Sequence, residues 1–140
     1  MKNPPSGLRD VEARDIDFIV SSWTKSYRQS FFATKMSNEV YFTEHKKVIA
    51  ARFADSRAVI ACTGDDIDQI LGYIVFQGHV LHYLYVKQPF RRLGIGSALI
   101  QDAMGAQTVP IVITHITQGF CKTYKGPFTY NPYLILKGKP

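Results

Sequence analysis

One stretch limits what this chain can fold into more than any other. From Leu81 to Ile100 it reads Leu-His-Tyr-Leu-Tyr-Val-Lys-Gln-Pro-Phe-Arg-Arg-Leu-Gly-Ile-Gly-Ser-Ala-Leu-Ile. An apolar, β-rich run passes through a basic, glycine-bearing turn and straight into an amphipathic helix. That junction suits an anion. Free N–H groups at a helix N-terminus point outward, and the helix dipole favours negative charge there. Gly94 and Gly96 let a ligand approach the backbone, while Arg91 and Arg92 add positive charge and forked donors. The turn is not the dinucleotide fingerprint. Leu99 stands where a third glycine belongs, and the motif follows the fourth strand rather than the first. A plain strand–turn–helix connection is the alternative.

The remaining pattern supplies the layers around this junction. Leu8 to Ala13 alternates as a short strand. Asp15 can cap a helix carrying Ile16, Ile19, Val20, Trp23 and Tyr27 at helical spacing. Gln29 to Lys35 reads as an aromatic loop. Ser37 caps a second helix with Val40, Tyr41, Val48, Ile49 and Phe53 as its stripe. Arg57 to Cys62 is a β-run, and Thr63-Gly64-Asp65-Asp66 is a turn. Ile70 to Phe76 and Val80 to Val86 make a hairpin across Gln77-Gly78. Gly94 to Met104 is a helix, with Ile95, Ala98, Leu99 and Ala103 on its apolar face. Ile111 to Thr114 is a strand. Phe120 to Tyr124 suits a helical turn or two, and Tyr133 to Leu136 a last strand. The expected architecture is α/β (α+β), with a mixed, mostly antiparallel sheet flanked by helices and one crossover helix.

Length, charge and cysteines narrow the function. The 140 residues suit one domain, 1–140, with one core. No apolar run reaches the roughly 20 residues of a membrane helix, and residues 1–7 lack a secretory leader, so a cytoplasmic protein is expected. Cys62 and Cys121 form neither a disulfide framework nor a metal motif, so no metal is expected, and Cys62 reads as a buried thiol. The net charge of +6 is scattered along the chain, which keeps a nucleic-acid partner open without marking a site for one.

Arg91-x-x-Gly94-x-Gly96 matches the Q/R-x-x-G-x-G/A signature of the GNAT (GCN5-related N-acetyltransferase) superfamily. Val86 and Pro89-Phe90-Arg91-Arg92 also resemble that family's strand and loop. The likeness runs from Leu8 to about Thr114 and is specific around residues 81–100. In length and general look the chain resembles the small members carried by tailed bacteriophages and prophages. The resemblance implies acetyl-CoA as co-substrate and an amine acceptor, either a small molecule or a protein. Backbone N–H groups of Arg92, Leu93, Gly94, Ile95, Gly96 and Ser97 would hold the pyrophosphate, beside Arg91. The pantetheine arm would lie along Leu84, Tyr85 and Val86, where the family's strands splay before Ile111. The N–H near Leu84 would stabilise the developing oxyanion.

Transfer to an amine also needs a base, and an acid can assist the leaving thiolate. His82 is the candidate base. Strict alternation puts it on the same side as Leu84 and Val86, and its place resembles that of a catalytic histidine in the serotonin acetyltransferases. A structural histidine inside the sheet is the equal alternative. His79 and His115 read as structural or exposed. Glu39 and Glu44 offer a base acting through water. Tyr124 is the nearest match to the family's tyrosine acid. Pro127 interrupts the expected Gly-Phe pair, so Tyr130, Tyr133 and water remain open. Phe31 and Phe32 are candidates for the acceptor cleft, while Trp23 and Tyr27 fit helix packing. Direct transfer in a ternary complex is expected, since neither cysteine carries a nucleophile motif. The alternatives are a non-catalytic CoA-binding or protein-interaction module, and acylation of a nucleic acid or its binding protein.

Overall fold

The computed structural model describes residues 6–28 and 35–136. Its strands are β1 Ser6–Asp10, β2 Arg57–Thr63, β3 Asp66–Gln77, β4 Val80–Val86, β5 Ile111–Ile113 and β6 Phe128–Tyr130. They lie side by side in that order in one sheet. β1 to β4 pair antiparallel, whereas β5 runs parallel to β4 and β6 parallel to β5. The helices are α1 Ile16–Tyr27, α2 Asn38–Val40, α3 Lys46–Ala54, α4 Ile95–Met104 and α5 Gln118–Thr123. A wide, π-type turn, Tyr41–His45, joins α2 to α3.

Both faces of the sheet are covered. On one, Ile60, Ile70, Tyr73, Val75 and Tyr83 pack under Ile19, Trp23 and Tyr27 of α1 and Ile49 of α3. On the other, Val59, Leu71, Ile74, Phe76 and Leu81 pack under Ile95, Leu99, Ile100 and Met104 of α4 and Phe120 of α5. The strands β2 to β4 are therefore apolar on both sides and lack clean alternation. Close strand contact at Gly72 has a local cause: a Cβ there would fall on the Tyr85 carbonyl oxygen and 3.1 Å from Val86 Cα. Gly72→Ala should push β3 from the end of β4 and cost about 1–3 kcal/mol, the usual penalty for overpacking. Urea unfolding of the variant measures this directly, and an unchanged midpoint would refute the close approach.

Four expectations change at the boundaries. β1 ends at Asp10, and residues 13–15 form a 3-10 turn. Asp15 does sit before α1, but its carboxylate makes no cap bond to that helix. It is held instead by a bidentate pair with Arg9 (2.8 and 3.0 Å) and by the Glu12 N–H at 2.8 Å. The two-pronged arginine pair outcompetes a single N–H cap bond, and the Arg9 hydrogen bond holds the Asp15 carboxyl below its usual range. β3 starts at Asp66, before the apolar run, because residues 66–69 are exposed and, apart from Ile67, polar. The last strand is Phe128–Tyr130, and Pro132–Leu136 is a 3-10 helix. Phe128–Tyr130 takes the free edge of β5, and Pro132 with its fixed φ starts a helical turn more readily than a strand. Ser37 caps its helix as expected, accepting the Val40 N–H at 3.2 Å.

Candidate active site

A wedge opens in the middle of the sheet. β4 and β5 are joined by only two register pairs, Val80↔Val112 and Leu81↔Ile113. A bond from the Thr114 N–H to the Leu81 carbonyl, 3.2 Å, closes the ladder. Beyond it β5 stops while β4 runs on to Val86, still paired with β3 on its other side. The edge of β4 from His82 to Val86 therefore faces no partner strand among the described residues.

The basic turn lies where this free edge ends. The Arg91 Nε donates to the Val86 carbonyl at 2.8 Å, tying the turn to the strand. Arg92 has φ 68° and Gly94 φ 87°. A left-handed arginine is strained, whereas the glycine is not. The successive turns face the backbone N–H groups outward. From Arg92 to Ser97 none of them meets a protein acceptor among the described residues, and the first helical bond is Ala98 N–H to Gly94 C=O at 3.0 Å. Arg91, Arg92, Gly94 and Ser97 are exposed, while buried Ile95 and half-buried Leu93 anchor the turn to the core. The space beside Gly94 is open. These features fit a phosphate-bearing ligand: a run of free donors with a helix dipole behind it and two cations beside it.

Gly96 has an additional role. A Cβ there would sit 3.3 Å from Thr123 Cγ2 and 3.7 Å from Leu84 Cδ2. It lets the first turn of α4 pack on the last turn of α5, beside the wedge.

The sequence profile of the Acetyltransferase (GNAT) family matches residues 18–106, from α1 to the end of α4. The chain belongs to this family. Solved structures share the GNAT fold. One is a Pyrococcus furiosus protein assigned as an acetyl transferase, with 20% identity, TM-score 0.62, and 87% of this chain and 94% of that one covered. Another is a GCN5-related N-acetyltransferase from Rhodopseudomonas palustris, with 19% identity, TM-score 0.57, and coverages of 87% and 78%. The apo form of YjaB from Escherichia coli shares 20% identity at TM-score 0.55, covering 73% of this chain and 66% of that one. No curated protein matches the chain.

In this GNAT chain His82 lies at the apex of the wedge, but it does not face the way strict alternation predicts. The pairing jumps from Val75↔Tyr83 to Phe76↔Leu81, so His82 is an extra residue, a β-bulge. Leu81, Leu84 and Val86 all pack toward α4. The bulge turns His82 to the opposite face, where its Nδ1 lies 2.9 Å from Thr114 Oγ1. It is 1% exposed, and its Nε2 has no partner among the described residues. Burial, and secondarily the charge of Arg52, lowers its pKa to about 4. His115 is buried beside it, and so is His45 from the wide turn. Burial lowers His45 to about 4, and it drives His115 well below the ordinary value.

The other candidates are dispersed. Tyr124 follows α5, but its ring turns from the wedge: with Ile100, Gln101 and Met104 it lines a hollow by the C-terminal half of α4. Its hydroxyl donates to the Pro127 carbonyl at 3.3 Å. Thr123, not Tyr124, stands beside Gly96. Tyr130 and Tyr133 are exposed, at 40% and 71%. Glu39 is exposed, and Glu44 is exposed and paired with Lys47 at 3.7 Å. Trp23 and Tyr27 are core residues, with Trp23 stacked on Tyr83 at 5.2 Å. Cys62 is buried. Phe31 and Phe32 lie outside the described residues. Sequence reasoning missed an open hollow of about 440 Å³ lined by Phe18, Ser21, Ser22, Lys25, Ser26 and Tyr85. Its signal was a polar helix face, Ser21-Ser22 and Lys25-Ser26, one turn apart.

Proposed function

We propose that this chain is an acetyl-CoA-dependent N-acyltransferase, transferring an acetyl group to an amine by direct attack in a ternary complex. The observation that carries this is the wedge between β4 and β5, leading to a ring of free N–H groups at the start of α4. Acetyl-CoA would supply an activated acyl thioester there. The N–H groups of residues 92–97, with Arg91 and Arg92, would bind its pyrophosphate. The unpaired edge of Leu84, Tyr85 and Val86 would hold the pantetheine arm, and the N–H near Leu84 the thioester carbonyl. The likeness to small phage-borne members belongs to this reading, as does a cytoplasmic setting.

His82 would take the proton from the amine. Burial keeps its imidazole neutral at physiological pH, so its lone pair is free, while a pKa of about 4 makes it a weaker acceptor than an ordinary histidine. The orphaned Nε2 favours this role, since a buried nitrogen without a partner costs stability unless function requires it. Tyr124 faces elsewhere, so protonation of the thiolate falls to water. The acceptor would lie in the hollow between α1 and Tyr85, where Lys25 and three serines meet two aromatic rings.

Acetyl-CoA should bind at one site with micromolar affinity, about −8 kcal/mol by calorimetry. In His82→Gln, CoA release to an accepted amine should fall about 100-fold or more, with acetyl-CoA affinity unchanged. Binding without release on any amine would assign a CoA-binding module instead, and no binding would sink the proposal.

A further inference from the structure

His82 is one end of a buried chain of hydrogen-bonding groups that crosses from the sheet to the helical layer. Its Nδ1 is 2.9 Å from Thr114 Oγ1. The same oxygen is 3.2 Å from His115 Nδ1. His115 Nε2 is in turn 2.9 Å from His45 Nε2. His82, Thr114, His115 and His45 are exposed by 1%, 1%, 3% and 8%, so the end at His45 is the nearest to solvent. His45 closes the wide turn, Tyr41–His45, and π-type turns recur at functional sites.

We propose that His82, Thr114, His115 and His45 form a proton relay, passing a proton taken up at His82 Nε2 across the interior to His45 Nδ1. The proposal rests on the acyltransferase reading for the proton's source, the acceptor amine.

The donor arithmetic leaves the chain two arrangements. A neutral imidazole carries one N–H, and a hydroxyl carries one proton. In the first arrangement His82 Nε2 is bare and its Nδ1–H donates to Thr114. Thr114 donates to His115 Nδ1, His115 Nε2–H donates to His45 Nε2, and the His45 proton is on Nδ1. A proton arriving at His82 Nε2 releases the Nδ1 proton to the Thr114 oxygen. The Thr114 proton then moves to His115 Nδ1, the His115 Nε2 proton to His45 Nε2, and the His45 Nδ1 proton leaves. One proton enters and one departs, every ring ends neutral, and each bond has reversed direction.

The surroundings favour such a shift over a resting imidazolium. Tyr27 of α1 and Tyr41 of the wide turn stack on His45, with centroids at 5.5 and 5.1 Å. Tyr83 of β4 and Trp23 of α1 lie against His115, at 6.0 and 5.1 Å. Arg52 of α3 adds a positive charge felt at His82. No carboxylate is among these described groups, and burial disfavours a resting cation on the rings.

Exchange of the His82 ring N–H with solvent tests the relay on CoA-free, 15N-histidine-labelled protein by NMR. Through an intact relay the buried proton reaches solvent quickly. Thr114→Val removes the hydroxyl, and His45→Phe removes the outlet while keeping an aromatic ring. Each should slow His82 exchange at least about tenfold, and Thr114→Ser should restore it. A purely structural network predicts the opposite sign, because breaking its bonds loosens the interior. Unchanged or faster exchange in the folded variants overturns the relay, and if one variant does not fold the other gives the same reading. Acetyl-CoA binding by wild type is measured separately, so the relay and the acyltransferase reading can fail independently.

Discussion

The Gly94→Asp protein is expected to fold and to lose acetyl-CoA. Gly94 has open space where a Cβ would project, so nothing must move to admit the side chain. Its φ of 87° adds strain of about 1–2 kcal/mol for a non-glycine residue. The new carboxylate stands at the N-terminus of α4, among the free N–H groups of residues 92–97. It would satisfy donors that the pyrophosphate needs and would repel the pyrophosphate itself. Like charges placed together cost several kcal/mol, so affinity should fall about 100-fold or more. Calorimetry with acetyl-CoA beside circular dichroism checks both halves. A folded variant that binds as wild type would remove the pyrophosphate assignment. Gly96→Asp is a poorer test, because its side chain would also push on Thr123 and Leu84.

Acid should unfold this protein earlier than its carboxylates alone would require. His45 and His82 are held neutral down to a pKa of about 4, and His115 lower still. In the unfolded chain each takes up a proton near pH 6.5. The unfolded state therefore binds more protons across this interval, and stability falls as pH drops from about 6.5 toward 4. Above pH 6.5 the three rings are neutral in both states and add no slope. A depression of this size corresponds to roughly 3 kcal/mol for each of His45 and His82 at the acid end. Two such losses rival the total stability of a typical domain, about 5–15 kcal/mol. Urea midpoints at pH 7, 5.5 and 4.5 should decline steeply in that order. A flat series would mean the three rings are not buried as neutral groups.

What the sequence revealed depended on how local the physics was. The strand–turn–helix junction at 81–96 was legible because chain neighbours make it: free N–H groups, two arginines and two glycines are all set within a few residues. The order of α1, β2 to β4, α4 and β5 was equally readable from periodicity. The bulge at His82 was not, because an extra residue in β4 is defined only against β3. That one irregularity reversed the facing of the proposed base. The linkage of His45 to His115 was hidden for a similar reason, since the partners are far apart in the chain. Tyr124 was the nearest match to the tyrosine that the resemblance implies, but the ring's direction is set by Phe120, Phe128 and α4, which no spacing records.

The wide turn at Tyr41–His45 has a consequence for how this helix could vary. Tyr41, His45 and Ile49 are all buried, each four residues from the last. In regular α-helix a spacing of four overshoots a full turn by about 40°, so three such residues would drift around the axis by about 80°. The loosened winding takes up that drift and keeps the three in one column. A deletion of one residue here would cost no helix; it would tighten the coil to ordinary pitch. Because the tighter winding makes up for most of the lost residue, the segment before the deletion would keep roughly its present facing. Tyr41, on the far side of the deletion, would stay near its 2.5 Å bond to the Thr24 carbonyl. The segment thus behaves as a spare residue stored in the backbone, one that the helix could lose without re-aiming the aromatic column or disturbing the sheet beneath.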